Sequence, residues 1–220
     1  SIPGLENVEL MRMAYAIEYD CLGPHQLWKT LEARSISGLY FAGQINGSSG
    51  YEEAAAQGLM AGINCGLKLK GDPPLILGRD EAYIGVLIDD LVTKTIAEPY
   101  RMMTSLAEYR LLLRQDNADR RLAEYGRDLG LLSEEDYDSV QRKWDSVEKE
   151  IEALSSWRVT PSEDVKRILA EIGSAPLQHV VSGEELLRRP EMSYRKLAAL
   201  GWISGVDGDL WDIVETEIKY

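Results

Sequence analysis

Cysteine and histidine are scarce in this chain of 220 residues, which contains two of each. Cys21 and Cys65 stand far apart and form no Cys-x-x-Cys or Cys/His pattern, which argues against a disulfide framework or a zinc site. We interpret both as small buried residues of a protein from a reducing compartment. His25 and His179 read as surface or loop residues, and so few histidines disfavour a His-rich metal site or a Ser-His-Asp triad.

Long apolar runs are also missing. No segment approaches the roughly 20 consecutive apolar residues that a membrane helix needs. The first four residues show neither the basic region nor the apolar region of a signal peptide. With 45% hydrophobic residues the chain can bury the core of one large or two small domains. We therefore expect a soluble, cytoplasmic globular protein with no membrane segment and no metal.

Positive charge is in short supply, because 24 basic residues face 37 acidic ones and the net charge is −13. Non-specific binding of nucleic acid by the whole surface is thus disfavoured, and any such contact must be a local patch. One candidate is residues 101–127, where six arginines outnumber four acidic residues. A guanidinium donates two parallel hydrogen bonds to a phosphate. Salt bridges to the same acidic residues explain the pattern equally well.

The strongest local pattern lies between residues 38 and 70. A short apolar run at 39–42, bracketed by Gly38 and Gly43, predicts a buried strand, and a glycine-bearing polar loop follows it. An alanine-rich helix is predicted from Tyr51 onward, with glycines at every fourth position on one face, Gly58, Gly62 and Gly66. Each glycine weakens a helix by about 1 kcal/mol, so we expect that face to approach a sheet closely.

A strand, a glycine-bearing loop and a helix place free backbone N–H groups and the positive end of a helix dipole at one point, which suits a phosphate. From spacing alone the signal is weak, since the G-x-G-x-x-G fingerprint is missing and a tight turn explains it as well.

The rest of the chain reads as mainly helical after a connection at residues 71–74. A helix is predicted near 80–93, while residues 109–114 fit a strand or a helix, and in either case Arg110 and Arg114 would share a face. Ser133 is predicted to cap a helix with an apolar stripe from Tyr137 to Leu154. A helix capped at Thr160 and closed by Gly173 follows. Further helices are expected at 182–189, at 193–200 and from residue 209 onward.

The identity of the residues in and around this loop is more informative than their spacing. The run Ala42-Gly43-Gln44-Ile45-Asn46-Gly47, with its flanks 38–41 and 50–58, resembles the late flavin-contacting motif of the GidA/MnmG family. Six further stretches resemble the same family in the same order along the chain, at residues 15–20, 81–91, 98–102, 107–111, 116–119 and 187–191. The resemblance runs almost end to end and identifies the chain as a member of this family.

The resemblance implies an α/β plus α fold, in which the closing strand, loop and helix of a Rossmann-like FAD-binding domain precede a mainly helical region. Residues 1–72 would be the C-terminal part of the FAD domain, 73–130 a mixed segment packed on it, and 131–220 a helical region leading to a further C-terminal domain. The chain would be an internal piece of the enzyme that carries one wall of the FAD site.

The resemblance also implies an activity. Family members bind FAD, take a hydride from NADH and use a folate one-carbon donor to build the 5-carboxymethylaminomethyl group on wobble uridine of tRNA. They work as a homodimer with an MnmE-type GTPase. Carried over by position, Gln44 would contact the FAD, together with Gly43, Asn46, Gly50 and Tyr51. No catalytic residue is identified.

The same resemblance favours contact with tRNA over salt bridging for four residues of the arginine-rich stretch, Arg101, Arg110, Arg114 and Arg121. Two positions depart from the family pattern, since Leu106 stands where an arginine is usual and Thr95 where a glycine is usual. Two other functions stay open. The chain could be a non-catalytic module that binds tRNA or the partner protein, or part of another FAD- and folate-dependent tRNA-modifying enzyme.

Overall fold

The computed structural model describes residues 2–9, 11, 12, 14, 20–94 and 98–220. Within these ranges helices dominate, and one short antiparallel pair of strands accompanies them. Most of the motif at 15–20 lies outside the described residues, and so does Thr95. The chain divides into two compact units, the first comprising Ser1–Ile76 with Ile84–Met103 and the second Leu77–Tyr83 with Thr104–Tyr220. The predicted three-part division stays a prediction.

The helices and strands are α1 (Tyr51–Lys70), α2 (Tyr83–Thr93), α3 (Ala118–Asp128), α4 (Glu134–Ser156), β1 (Arg158–Val159), α5 (Glu163–Ile172), β2 (Val181–Ser182), α6 (Gly183–Leu187), α7 (Tyr194–Leu197) and α8 (Trp211–Lys219). Short 3₁₀ turns occupy Pro24–Gln26, Gly43–Asn46, Thr104–Leu106, Ala198–Leu200 and Gly208–Leu210. In the strand pair Arg158 faces Ser182 and Val159 faces Val181.

In the first unit the predicted helix α1 is confirmed. It ends at Gly71, whose φ of +80° reverses the chain, and the N–H of Asp72 donates to Leu67 O over 2.9 Å to close the last turn. Acidic residues in its first turn and lysines in its last turn match the helix dipole. Around it a core forms from fully buried apolar residues, among them Leu27, Leu31, Met60, Val86 and Leu91.

Two expectations for the first unit are wrong. Residues 39–42 form no strand, since Tyr40 makes an isolated bridge with Glu32 and Leu39 is 37% exposed. A buried strand needs paired neighbours on its ladder, and residues 31–33 supply only a short hairpin pairing. The glycine face of α1 also lies open, because a Cβ built on Gly58, Gly62 or Gly66 meets no described atom within 4 Å.

The second unit is built around α4, as its apolar stripe predicts. Ser133 caps the helix by accepting a hydrogen bond from the N–H of Asp136 over 3.1 Å. Trp144, Val147 and Leu154 lie fully inside the core. Residues of the later helices complete that core, including Leu169, Leu186, Leu187, Leu197 and Val214.

Three details of the second unit differ from the predictions. Helix α5 begins at Glu163 and is capped by Ser162 instead of Thr160, because the Ser162 hydroxyl reaches the N–H of Val165 over 3.2 Å. Gly173 closes it as expected, with φ +82°. Residues 109–114 form successive turns and are neither strand nor helix. The predicted common face of Arg110 and Arg114 is therefore wrong.

Candidate functional site

The glycine-bearing loop before α1 has a defined shape that two glycines make possible. Gly43 and Gly47 take left-handed conformations with φ of +84° and +76°, where other residues are strained. A Cβ on Gly43 would also approach Cβ of Ala54 to 3.2 Å. Between the two glycines the 3₁₀ turn Gly43–Asn46 brings the loop back over the start of α1. The predicted loop is confirmed, and its path lies close against the helix.

Buried Gln57, on the second turn of α1, holds this loop in place. Its Oε1 accepts hydrogen bonds from Gly43 N–H over 3.0 Å and from Asn46 Nδ2 over 2.8 Å. Its Nε2 donates to Ser48 Oγ over 2.8 Å, and that hydroxyl donates to Gly43 O. Sequence reasoning missed Gln57. The available signal was a glutamine within an alanine-rich helix, where a buried amide needs polar partners.

The five predicted flavin-binding residues divide by exposure. Gln44 and Tyr51 are exposed, with Tyr51 at 94%, whereas Gly43, Asn46 and Gly50 are buried. The Asn46 side chain is 0% exposed, and its amide nitrogen is shared between Phe41 O and Gln57. Asn46 and Gly43 therefore shape the loop from inside. Gln44 and Tyr51 are the members that can reach a ligand.

The N-terminus of α1 fits an electron-rich group. Gly50 is the N-cap residue and has no side chain with which to cap the helix. The Glu53 carboxylate takes its own N–H, so the N–H groups of Tyr51 and Glu52 are the ones available to a ligand. The buried Asn46 Oδ1 has no hydrogen-bond partner among the described residues, which leaves an acceptor at the loop unsatisfied. The N–H groups fit the phosphates or another electron-rich part of a flavin cofactor, and the Asn46 acceptor fits a hydrogen-bond donor.

A strap formed by residues 100–102 lies against the same loop. Tyr100 N–H donates to Gly47 O over 2.8 Å, and Ser49 N–H donates to Tyr100 O over 3.2 Å. The Glu53 carboxylate then receives the N–H of Met102 over 2.9 Å and lies 3.3 Å from Arg101 Nε. One of the four predicted tRNA-binding arginines, Arg101, is thus placed beside the predicted flavin loop.

The other three predicted arginines lie in the second unit, where their surroundings differ. Arg110 is exposed on the turn between Tyr109 and Leu111, which are 52% and 62% exposed. Arg114 pairs with Asp116 and with Glu217. Burial lowers the pKa of Arg114, but these two carboxylates outweigh that effect and raise it overall. Arg114 therefore matches the salt-bridge interpretation.

Arg121 is committed to the backbone. Its guanidinium donates to the carbonyls of Glu81 and Arg114 and to Asn117 Oδ1. Burial lowers its pKa, and the neighbouring Arg114 adds to the effect. The Glu81 side chain is held as well, because Tyr125 OH and Gly78 N–H both donate to it. Arg121 thus joins residues 78–81 to α3 through bonds from each of its three guanidinium nitrogens.

The two remaining arginines of the stretch also have acidic partners, since Arg120 pairs with Glu148 and Glu217, and Arg127 pairs with Asp128. Salt bridging to the acidic residues of the same stretch is confirmed for Arg114 and Arg127, whereas Arg101 and Arg120 pair with acidic residues outside it. Among the described residues, ion pairing does not account for Arg121, which binds carbonyls, or for Arg110.

Cys21 was predicted to be buried, and it is exposed. It lies beside the loop, because Leu22 N–H donates to Ile45 O over 2.8 Å and a Cβ on Gly47 would lie 4.0 Å from Cys21 Sγ. Gly47 has no side chain with which to cover the thiol. Cys65 is half-buried. Both histidines are exposed, as expected.

Two negative findings concern the described residues alone. None of their helices combines the length and apolar character needed to cross a membrane. Among the same residues, no three His, Cys, Asp or Glu side chains gather into a group suited to a metal ion.

Comparison with known proteins accounts for most of the chain. Residues 1–73 match the family described as glucose inhibited division protein A. Residues 134–220 match the family described as the tRNA modifying enzyme MnmG/GidA C-terminal helical domain. Both families describe parts of one kind of protein, in which a GidA-type segment precedes a helical domain.

Individual relatives agree with that class. The chain is 55% identical to the tRNA uridine 5-carboxymethylaminomethyl modification enzyme MnmG of Listeria monocytogenes (serotype 4b, strain F2365) over 221 residues, covering 100% of this chain and 35% of the relative. It is 59% identical over 200 residues to the Clostridium botulinum (strain Loch Maree) enzyme of the same name, covering 91% and 32%. The chain thus spans about a third of the length of the curated relatives it matches.

A solved structure shares the fold. GidA of Aquifex aeolicus in its form II crystal superposes with a TM-score of 0.83 at 44% sequence identity, covering 99% of this chain and 34% of that one. The chain belongs to the GidA/MnmG family.

Proposed function

We propose that this chain serves an FAD-dependent tRNA-modifying enzyme that forms the 5-carboxymethylaminomethyl group on wobble uridine, together with an MnmE-type GTPase. The observation that carries the proposal is the uncapped N-terminus of α1, over which Gln57 holds a loop that exposes Gln44. Such a site suits the pyrophosphate or the ring edge of a dinucleotide cofactor. The names of the relatives, which are 55% and 59% identical, supply the reaction.

Each loop residue has a distinct part in this proposal. Gln44 offers its side-chain amide as donor and acceptor to the flavin without adding a negative charge. Backbone N–H groups from Gly50 and Tyr51 face its electron-rich atoms, while Gly43 and Asn46 shape the loop. The bound FAD would supply hydride chemistry, with NADH as reductant and a folate as one-carbon donor. The chain itself binds and orients the cofactor.

Two arginines are the proposed contacts with tRNA phosphates. Arg110 is exposed, and Arg101 keeps its side chain 55% exposed beside the loop. Arg114 and Arg121, which were proposed alongside them, are better understood as supports that fix the turn on which Arg110 stands. The Rossmann-like closing of the FAD domain, the homodimer and the cytoplasmic location are parts of the same proposal.

Replacement of Gln44 by alanine in the full-length protein tests the flavin assignment. We expect weaker FAD retention, by roughly tenfold for one lost cofactor hydrogen bond, seen as smaller flavin absorption bands after gel filtration. The control is Gln26→Ala, since Gln26 is an exposed glutamine of the same unit. Equal flavin content in both variants would remove Gln44 from the cofactor site.

A second candidate is a non-catalytic module that binds tRNA or a partner protein. The exposed group formed by Tyr109, Arg110 and Leu111 favours it, because aromatic residues and arginine are enriched at binding surfaces. The visible spectrum of the full-length protein separates the two candidates. A protein that binds tRNA but shows no flavin bands after reconstitution with FAD would be the binding module.

A further inference from the structure

Glu53 combines features that a helix-terminal glutamate does not need. Its position in the first turn of α1 suits the helix dipole, yet an exposed carboxylate would serve that purpose equally well, as Glu52 does. Glu53 instead is 5% exposed. Burial acts to raise the pKa of Glu53, but the N–H groups of Met102 and of Glu53 itself, together with Arg101, outweigh burial and lower it. A buried charge is retained at a cost.

Apart from its own N–H, the partners of the Glu53 carboxylate among the described residues belong to the strap 100–102. Tyr100 is fixed to the loop through its N–H and its carbonyl, and Met102 is fixed to Glu53 through its N–H. Arg101 lies between these two anchored residues, and its Nε lies 3.3 Å from Glu53 Oε1. The backbone on both sides of Arg101 and the near end of its guanidinium are therefore held by the loop and α1.

The far end of the same guanidinium remains available. The side chain of Arg101 is 55% exposed, and within the part of the chain that the structure describes its two terminal nitrogens make no hydrogen bond or ion pair. These nitrogens form the planar fork that recognises a phosphate. Glu53 thus fixes one edge of the guanidinium and leaves the phosphate-binding edge open.

We propose that Glu53 is a positioning residue, which holds Arg101 beside the loop 43–50 so that the arginine fork meets a phosphate of the tRNA next to the flavin. This inference rests on the proposed function, and it adds a residue that acts on the nucleic acid only through Arg101. Gly50 makes this position of Glu53 possible, because a Cβ at residue 50 would overlap the Glu53 carboxylate and displace it.

The test is tRNA binding by the full-length protein, measured at several salt concentrations for Glu53→Gln, Arg101→Ala and the double variant. Glutamine keeps an acceptor for Met102 N–H but loses the charge that holds Arg101. We expect Arg101→Ala to weaken binding roughly fivefold and to reduce the salt slope by about one. Glu53→Gln should weaken binding in the same direction, with no further loss in the double variant.

Glu52→Gln is the matched control, because it removes the same charge from the neighbouring exposed position. If Glu53 acted only through its negative charge, both Gln variants would bind tRNA more tightly, which contradicts positioning. The proposal would also be overturned if Glu53→Gln weakened tRNA binding as much in the Arg101→Ala protein as in the parent. Gly50→Ala gives a second route, since it displaces the carboxylate with its charge intact and should weaken binding as well.

Failure of the underlying function has a different signature. If the unaltered full-length protein binds no tRNA, the proposed function falls and the positioning role falls with it. If it binds tRNA with a salt slope that neither Glu53→Gln nor Arg101→Ala changes, the function stands and the role of Glu53 is refuted. Urea unfolding of each variant shows whether a loss of binding comes from a loss of folding.

Discussion

The side-chain amide of Asn46 donates a hydrogen bond to Oε1 of Gln57 over 2.8 Å, and both side chains are 0% exposed. Two residues 11 positions apart thereby fix the start of the loop to the second turn of α1. Because Gly43 N–H and Ser48 Oγ join the same group, the amide of Gln57 has a partner on each of its polar atoms. The exposed face of the loop is thus determined by a polar cluster that is itself buried.

Replacement of Gln57 by leucine should destabilise the first unit by about 2 kcal/mol, because Gly43 N–H loses its acceptor and stays buried. Urea unfolding of the full-length protein measures this change. Gln44→Ala is the control and should leave the free energy of unfolding within about 0.5 kcal/mol of the parent, since Gln44 is exposed. An unchanged midpoint for Gln57→Leu would mean that the loop does not depend on this cluster.

Arg110 and Arg114 should behave differently when each is replaced by alanine. Arg110→Ala is expected to weaken tRNA binding and to lower the salt slope by about one, with stability unchanged. Arg114→Ala is expected to lower stability by about 1 kcal/mol, because Glu217 and Asp116 lose their partner. Filter binding at graded salt and urea unfolding separate the two effects. A larger salt-slope change for Arg114 would reverse the assignment.

Glu150 should be a critical residue of the second unit. It is 4% exposed, and it accepts hydrogen bonds from Tyr194 OH, Trp202 Nε1 and Gly205 N–H. Burial raises the pKa of Tyr194 to about 12, and the hydrogen bond to Glu150 contributes to the increase. Glu150→Ala leaves these donors buried without an acceptor and should cost about 3 kcal/mol in thermal or urea unfolding.

The control for Glu150 is Glu152→Ala, because Glu152 is exposed on the same helix. We expect that variant to unfold within about 0.5 kcal/mol of the parent. If Glu150→Ala and Glu152→Ala lowered the free energy of unfolding by similar amounts, the hydrogen bonds of Glu150 around Tyr194 would contribute little to stability.

The Asp119 carboxylate should make the stability of the folded protein depend on pH. Burial acts to raise its pKa, but Lys143 and the Trp144 N–H outweigh burial and lower it below the ordinary 3.8. A lowered folded-state pKa stabilises the protein above the unfolded-state value, and the contribution is lost as the pH falls through the folded-state value. The side chain is 33% exposed, so we expect about 1 kcal/mol after allowance for solvent screening.

Asp119→Asn tests this dependence. It should be less stable than the parent at pH 7, and the difference should shrink as the pH drops below 3.8. Asp145→Asn, at an exposed position of α4, is the comparison and should track the parent at each pH. A difference that stays constant down to low pH would assign the effect of Asp119 to geometry instead of charge.

Local rules predicted the helices well because their signals lie within a few residues. The Ser133 cap, the stripe from Tyr137 to Leu154 and the Gly173 stop each act over one or two turns, and the structure confirms them. The start of α5 was predicted two residues too early, because both Thr160 and Ser162 are good capping residues. The cap is Ser162, since its hydroxyl reaches a free N–H of the helix.

The site was predictable only in part, because its decisive contacts join distant positions. The resemblance identified the loop at Gln44, but nothing local connects Glu53 with Met102, which lies 49 residues further on. Arginine composition suggested a cationic patch, and the partner of Arg114 is Glu217, 103 residues away. Pairings of this kind depend on the fold, so sequence alone left binding and salt bridging equally open.

The tryptophans are distributed unevenly. Of the five in the chain, Trp28 is in the first unit, where it is 51% exposed with the Arg34 guanidinium 4.5 Å from its ring centre. The other four belong to the second unit, where Trp157 and Trp202 lie 5.0 Å apart and Trp211 stacks on Tyr194. Intrinsic fluorescence is therefore expected to report on both units separately, with emission at longer wavelength from the exposed Trp28 and at shorter wavelength from Trp144, which is 4% exposed.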